Sequence, residues 1–342
     1  MALYSRCLPL AKILALTGIL LLSACAAEAQ VTASVSGTVE DASGSAVADS
    51  AITVTSLETG GVRRSTSDSA GNYRISALPL GSTEVKAEKA GFKPVDRTGI
   101  NLQLDQNAMV NFRLEVGDIV SEVNVSGQAP IVNTTTESVA GLVGENQVKE
   151  LPLNGRSFDN LITLNPGVIN FTLRSPGTST SNGNTFSVDG RRPLENIFLL
   201  NGIEYTGSSQ LADTPGGASG ELLGVDAVRE FNILTDTYSA EYGKRAGAQV
   251  IVATQTGTNV LHGSLFEFLR NSDLDARNFY DRGFVPPFRR NQFGGALGGP
   301  LKKNRLFLFG NYEGFRQALA VSSVSEVPDQ FARQGLLPNA SG

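Results

Sequence analysis

Beyond residue 25 the chain contains no cysteine, although its first 29 residues are built for export. Arg6 and Lys12 form a basic head, Ile13 to Leu22 an apolar run, and small residues follow. That order is the layout of a secretory signal peptide, and the run is short of the roughly 20 apolar residues a membrane-spanning helix needs. Two processing sites compete. Ala27-Glu28-Ala29 before Gln30 suits ordinary signal peptidase and is the better placed, while Leu22-Ser23-Ala24-Cys25 has the form of a bacterial lipobox. By either route the mature chain enters an oxidising compartment without a disulfide framework, because Cys7 and Cys25 are its only cysteines. It must fold by burial and hydrogen bonding alone.

Several function classes drop out on composition. His262 is the only histidine, which leaves histidine-rich zinc sites without ligands. A net charge of −5 with no long charge run argues against nucleic acid as a partner. No Gly-x-Ser-x-Gly elbow occurs, so a Ser-His-Asp hydrolase would have to be built on His262 without its usual frame. The chain is therefore read as a non-enzyme without cofactor or metal, with room for about two domains and no helical anchor after the leader.

The 37 glycines punctuate short alternating runs. From 31 to 115 these runs predict a β-sandwich. Val35 to Val39 opens it, Asp41-Ala42-Ser43-Gly44 turns, and Ile52-Thr53-Val54-Thr55 alternates as a half-buried strand should. Asp68 to Asn72 turns again into Tyr73-Arg74-Ile75. Thr83 to Ala87 follows, and Val110 to Leu114 ends the series. Tyr73 and Phe112 alternate with polar neighbours and are assigned to the core. Asp68 and Asn72 read as turn chemistry in preference to a calcium site.

Beyond this module the pattern is mixed. Val143 to Leu151 predicts a short helix ended by Pro152, Phe158 to Leu164 a second one, and Phe186 to Val188 and Ile197 to Ile203 strands with turns. Val225 to Phe231 has an apolar face. From Gln249 onward, alternating runs with aromatics (Phe266, Phe268, Phe293, Phe307, Phe309) predict barrel strands, and His262 is assigned a structural role in a turn.

Three sets of residues carry family resemblances. Ser36-Gly37-Thr38-Val39, Gly71-Asn72-Tyr73, Leu78-Pro79-Leu80-Gly81 and Gly91-Phe92 resemble the carboxypeptidase regulatory-like family, which implies a transthyretin-like sandwich. Leu151, Pro152, Leu153, Asn154, Gly155 and Arg156, then Leu199-Leu200-Asn201-Gly202 and Ala240-Glu241-Tyr242-Gly243, resemble the plug of Oar-like TonB-dependent receptors. Asn201 departs from the Asp that many plugs carry there. Thr254 to Asn259, His262-Gly263-Ser264 and Asp275 to Asn278 resemble the same family's barrel. Between sandwich and plug, Glu122, Val123, Asn124, Val125 and Ser126 resemble a TonB box, an extended segment able to add to a partner's sheet edge. The other reading of that segment is a last strand of the sandwich or a first strand of the plug.

The resemblance implies a mainly β fold: signal peptide 1–29, sandwich 31–115, linker 116–130 with the box, α+β plug 131–245, and first barrel strands 246–342. It implies the outer membrane as location, and TonB, outer-membrane lipid and an extracellular ligand as partners. The sandwich makes carbohydrate the favoured ligand. The alternative is an exported carbohydrate-binding or adhesive surface protein. A plugged barrel of roughly 22 strands at about ten residues each needs on the order of 220 residues. Only 95 residues follow Gly247, so the expectation is a piece of a longer receptor or an interrupted frame.

Overall fold

The computed structural model describes residues 32–117, 123–126, 139–151, 153, 155–170, 185–205, 223–240, 242–277, 283–320 and 328–335. The leader lies outside the described residues, as do Glu122, Pro152, Asn154, Glu241 and Asn278.

Two facing sheets form the N-terminal sandwich. In one, β1 (Ala33–Asp41) pairs antiparallel with β4 (Asn72–Leu78) and parallel with β7 (Asn107–Met109) and β8 (Phe112–Leu114). In the other the order is β3 (Val62–Thr66), β2 (Ala51–Ser56), β5 (Gly81–Glu88), β6 (Val95–Leu102), β9 (Val123–Ser126). The alternation read in β2 and β5 puts Ile52, Val54, Val85 and Ala87 inside, against Val35, Val39, Ile100, Phe112 and Leu114. Each large apolar side chain so buried contributes about 1.5–3 kcal/mol. Tyr73 is buried too, and its hydroxyl donates to the Val110 carbonyl at 2.6 Å, so the one polar atom it takes inside is satisfied. Asp68 Oδ1 accepts from the amides of Ala70 (2.9 Å) and Asn72 (2.8 Å), the Asx geometry of an ordinary turn. Gly37 is required by space: a Cβ there would strike the Val110 carbonyl where β7 and β8 cross β1.

A second unit is built on the five-stranded sheet β10 (Val139–Val143), β15 (Val228–Asp236), β16 (Gln249–Thr254), β13 (Ile197–Leu200), β14 (Ile203–Glu204). Helix α1 (Glu145–Glu150), a 3-10 segment (Phe158–Leu164) and the hairpin β11 (Val168–Asn170) with β12 (Phe186–Val188) accompany this sheet. Its core includes Val148, Phe158, Ile162, Phe186, Phe198, Phe231, Ile233 and Val250, with Phe158 and Phe231 tilted together at 5.6 Å. The apolar stretch from Val225 divides into a 3-10 turn (Val225–Ala227) and β15.

One strand departs from the sequence expectation. Gln249–Thr254, read as the barrel's opening strand, lies between β15 and β13 in this sheet. Gln249, Val250, Ile251, Val252 and Ala253 are all buried, so the strand is covered on both faces. The alternation in its sequence is one of size, not polarity, and a doubly covered strand needs no polar face.

The third sheet is an antiparallel meander of β17 (His262–Asn271), β18 (Phe288–Lys302) and β19 (Leu306–Leu319). Leu265, Leu269, Leu297, Leu301 and Leu308 stand exposed on one face. His262, Ser264, Phe266 and Gln292 share the other, which packs toward the second unit. An apolar outer face with a polar inner one is what a strand between lipid and a filled lumen requires. The sheet is open, and β17 and β19 are its edges. A short helix, α2 (Gln330–Arg333), comes last.

Candidate functional site

The motif Leu151–Arg156 follows α1 and ends in a tight turn. Gly155 (φ 76°) and Arg156 (φ 53°) are both left-handed, and the Arg156 amide donates to the Leu153 carbonyl at 3.2 Å. A left-handed arginine is uncommon and costs about 1–2 kcal/mol, so its surroundings must hold it. They do. The guanidinium pairs with Asp226, which the 3-10 turn before β15 presents, and lies 3.7 Å from the Phe266 ring centre on β17. Its Nε is 3.9 Å from Glu313 Oε1 on β19. Ser264 Oγ donates to the other Asp226 oxygen at 2.8 Å. Gln292 on β18 donates to the Gly155 carbonyl at 3.1 Å and to Glu313. The Arg156 side chain thus engages β17 and β19, and the Gly155 carbonyl beside it engages β18. Gly224 makes room for it, since a Cβ there would strike the Glu313 carboxylate.

The other plug motif acts within its own unit. Asn201 (φ 49°) and Gly202 (φ 79°) form the two-residue turn of the β13–β14 hairpin, both left-handed as a type I′ turn demands. Asn201 Oδ1 accepts from the Thr254 amide at 3.0 Å, and its Nδ2 donates to Thr254 Oγ1 at 2.9 Å. An aspartate would keep the first bond and lose the second donor, which gives the asparagine a local reason. The stretch Ala240 to Gly243 is described except for Glu241, and Tyr242 packs beside Leu234 and Ile251.

The backbone of Val123–Ser126 forms β9, parallel to Val95–Thr98 at the sheet edge. The candidate TonB box therefore occupies the edge position that the other reading gives it. His262 sits with Nδ1 3.0 Å from the Val260 carbonyl and its ring stacked on Phe309 at 6.3 Å. Among the described residues no group of three or more His, Cys, Asp or Glu comes together as a metal site.

One contact gave no signal in sequence. Glu58, in the sandwich, pairs with Arg229 through both oxygens at 2.8 and 2.9 Å. The Leu104 amide donates to Glu230 Oε1 at 2.6 Å, and Leu104 packs with Leu234, Ile251 and Ala253. Burial pushes the Glu230 carboxyl up to about 7, against the Leu104 amide and Arg229, which favour its charged form. These residues lie more than a hundred positions apart, and no local pattern links them.

Two family models match parts of the chain. Residues 34–115 match the carboxypeptidase regulatory-like domain, and 253–342 an outer membrane beta barrel domain. The TonB-dependent transporter Oar of Myxococcus xanthus is 28% identical over 292 residues, covering 81% of this chain and 26% of Oar. The chain thus spans about a quarter of that relative's length. Among solved structures, the siderophore receptor PirA from Acinetobacter baumannii aligns at 24% identity, covering 51% of this chain and 24% of PirA, with TM-score 0.36. The outer membrane transporter YddB from Escherichia coli aligns at 15% identity over 53% of this chain and 26% of YddB, with TM-score 0.40. The chain is a homologue of Oar-like TonB-dependent transporters, with a carboxypeptidase regulatory-like domain and strands of an outer membrane β-barrel domain, and its location is the outer membrane.

Proposed function

We propose that the chain serves energised uptake across the outer membrane as part of a TonB-dependent receptor. In this reading 31–115 is an accessory sandwich, 116–130 the linker with the TonB box, and the unit from 131 a plug that reaches through β16 to about residue 255. The strands from His262 onward belong to the barrel wall. The observation that carries the reading is the Arg156 cluster, which ties the plug unit to three strands with an apolar outer face. A ligand held between plug and wall is released inward when TonB pairs with Glu122, Val123, Asn124, Val125 and Ser126 and pulls. The step is mechanical and needs no nucleophile or cofactor.

Carbohydrate capture by the sandwich is not part of this reading. Tyr73 and Phe112 are buried and Phe92 is half-buried, so among the described residues they offer sugar no aromatic platform. The test is titration of the whole chain in detergent micelles with the periplasmic domain of TonB. Saturable binding, lost in Val123→Pro and Val125→Pro because proline removes a strand donor, is expected. Binding that ignores both substitutions, or no binding, contradicts the proposed box.

A further inference from the structure

Beside the Arg156 cluster, toward the Asn271 end of β17, lies a cavity of about 620 Å³ between α1, the Leu151–Arg156 turn and strands β17 and β18. That volume is in the range of small-molecule sites. Four cations line it, Lys149, Arg156, Arg270 and Arg290, against one carboxylate, Glu150. Lys149 pairs with Glu145 at 2.6 Å and Arg156 with Asp226. Arg270 and Arg290 stand apart by their placement. They are directly opposed partners in the β17–β18 register, and like charges in that position repel. Both guanidinium groups flank one ring, Phe288, at 4.9 and 5.4 Å. The half-buried Asp275 meets the exposed Arg270 at 3.2 Å, and Arg290 Nε donates to Gln317 at 2.9 Å.

The period-2 alternation fixes which way they face. Arg270 shares its strand face with Ser264 and Phe266, and Arg290 shares its own with Gln292, all five being on the plug side. The pair is therefore turned away from the lipid face carried by Leu265 and Leu297. Leu151, Leu153 and Phe268 supply an apolar wall to the same cavity. Two forked donors beside an apolar wall suit a planar oxyanion on an apolar body.

We propose that this cavity binds an organic anion, a carboxylate or phosphate monoester with an apolar body, through Arg270 and Arg290. The inference rests on the receptor reading, since it names the ligand class for the space between plug and wall.

The test uses the whole chain in micelles at low salt, with a micelle-only blank. The probes are 1-naphthoate, its neutral isostere 1-naphthamide, and inorganic phosphate alone. Naphthoate should bind and the amide should not, with phosphate competing weakly. Arg270→Gln and Arg290→Gln should each weaken naphthoate at least tenfold, while Arg305→Gln, at the far end of the sheet, leaves it unchanged. Arg290→Lys should retain part of the affinity, which separates lost charge from lost folding. Equal binding of acid and amide, equal affinity in the glutamine variants, or no naphthoate binding overturns the proposal. TonB titration of the same preparation keeps the two readings apart. A chain that pairs with TonB and ignores naphthoate sinks the ligand class only, and one that binds naphthoate without pairing sinks the box only.

Discussion

Arg156 adopts a left-handed backbone to carry a nearly buried charge, and Asp226 and Glu313 are tolerated there because it does. Arg156→Ala leaves both carboxylates uncompensated and should destabilise the chain by about 3–5 kcal/mol, seen as a lower urea midpoint. Arg156→Lys keeps the charge and loses the planar stack on Phe266, so its loss should be smaller. Glu230 adds a pH dependence. Its carboxyl is raised from 4.5 to about 7 in the folded chain, so the folded state holds the proton more tightly than the unfolded one. Its contribution is then greatest below about pH 4.5 and is lost as pH rises to about 7. The contact between sandwich and plug should unfold at lower urea at pH 8 than at pH 5.5. Glu230→Gln, which keeps an acceptor for the Leu104 amide, should remove that component, and an unchanged difference between the two pH values would refute the assignment.

At the scale of elements, what was legible in sequence follows one rule. Strands with a wet face and a dry face announce themselves, and β2 and β5 fall where alternation put them. The helical segments after Val143 and Phe158 were readable from their stops. Strand β16 was visible as a strand but was placed in the wrong sheet, because burial on both faces erases the polarity by which a half-buried strand shows its face. Strand β3 (Val62–Thr66) is an exposed edge whose Val-Arg-Arg-Ser-Thr carries no apolar face, and it had no signal to read. The Asn201-Gly202 turn was readable as a motif, whereas its bonds to Thr254 depend on β16 lying next to β13. Asn201→Ala should cost about 2–3 kcal/mol, from left-handed strain and two lost hydrogen bonds. Asn201→Gly should recover the strain portion alone, and equal losses for the two variants would show that the turn conformation is not what the asparagine supplies.

At the scale of the whole molecule, three sheets are joined by few but buried contacts. Glu58–Arg229 and Leu104–Glu230 hold the sandwich to the second unit, and the Arg156 cluster holds that unit to the third sheet. The motifs foretold the sandwich and the barrel strands, and neither junction was foretold, because each joins residues distant in sequence. The outward face of the third sheet makes its own demand. Leu265 is 92% exposed, which suits lipid and not water. Leu265→Arg should reduce insertion into vesicles by about 2–4 kcal/mol if the residue lies at mid-membrane, as for a charge on a barrel's lipid face. Insertion equal to that of the unaltered chain would contradict the assignment of this face.

In the proposed function, Val123–Ser126 leaves one sheet edge for another. In the described state these residues pair with Val95–Thr98. Amide hydrogen exchange on the whole chain, with and without the periplasmic domain of TonB, tests this most directly. The account predicts that TonB speeds exchange along Val95–Thr98, bared by the departing strand, while Val123–Ser126 stays protected on its new partner. Unchanged exchange at both segments under saturating TonB would contradict it.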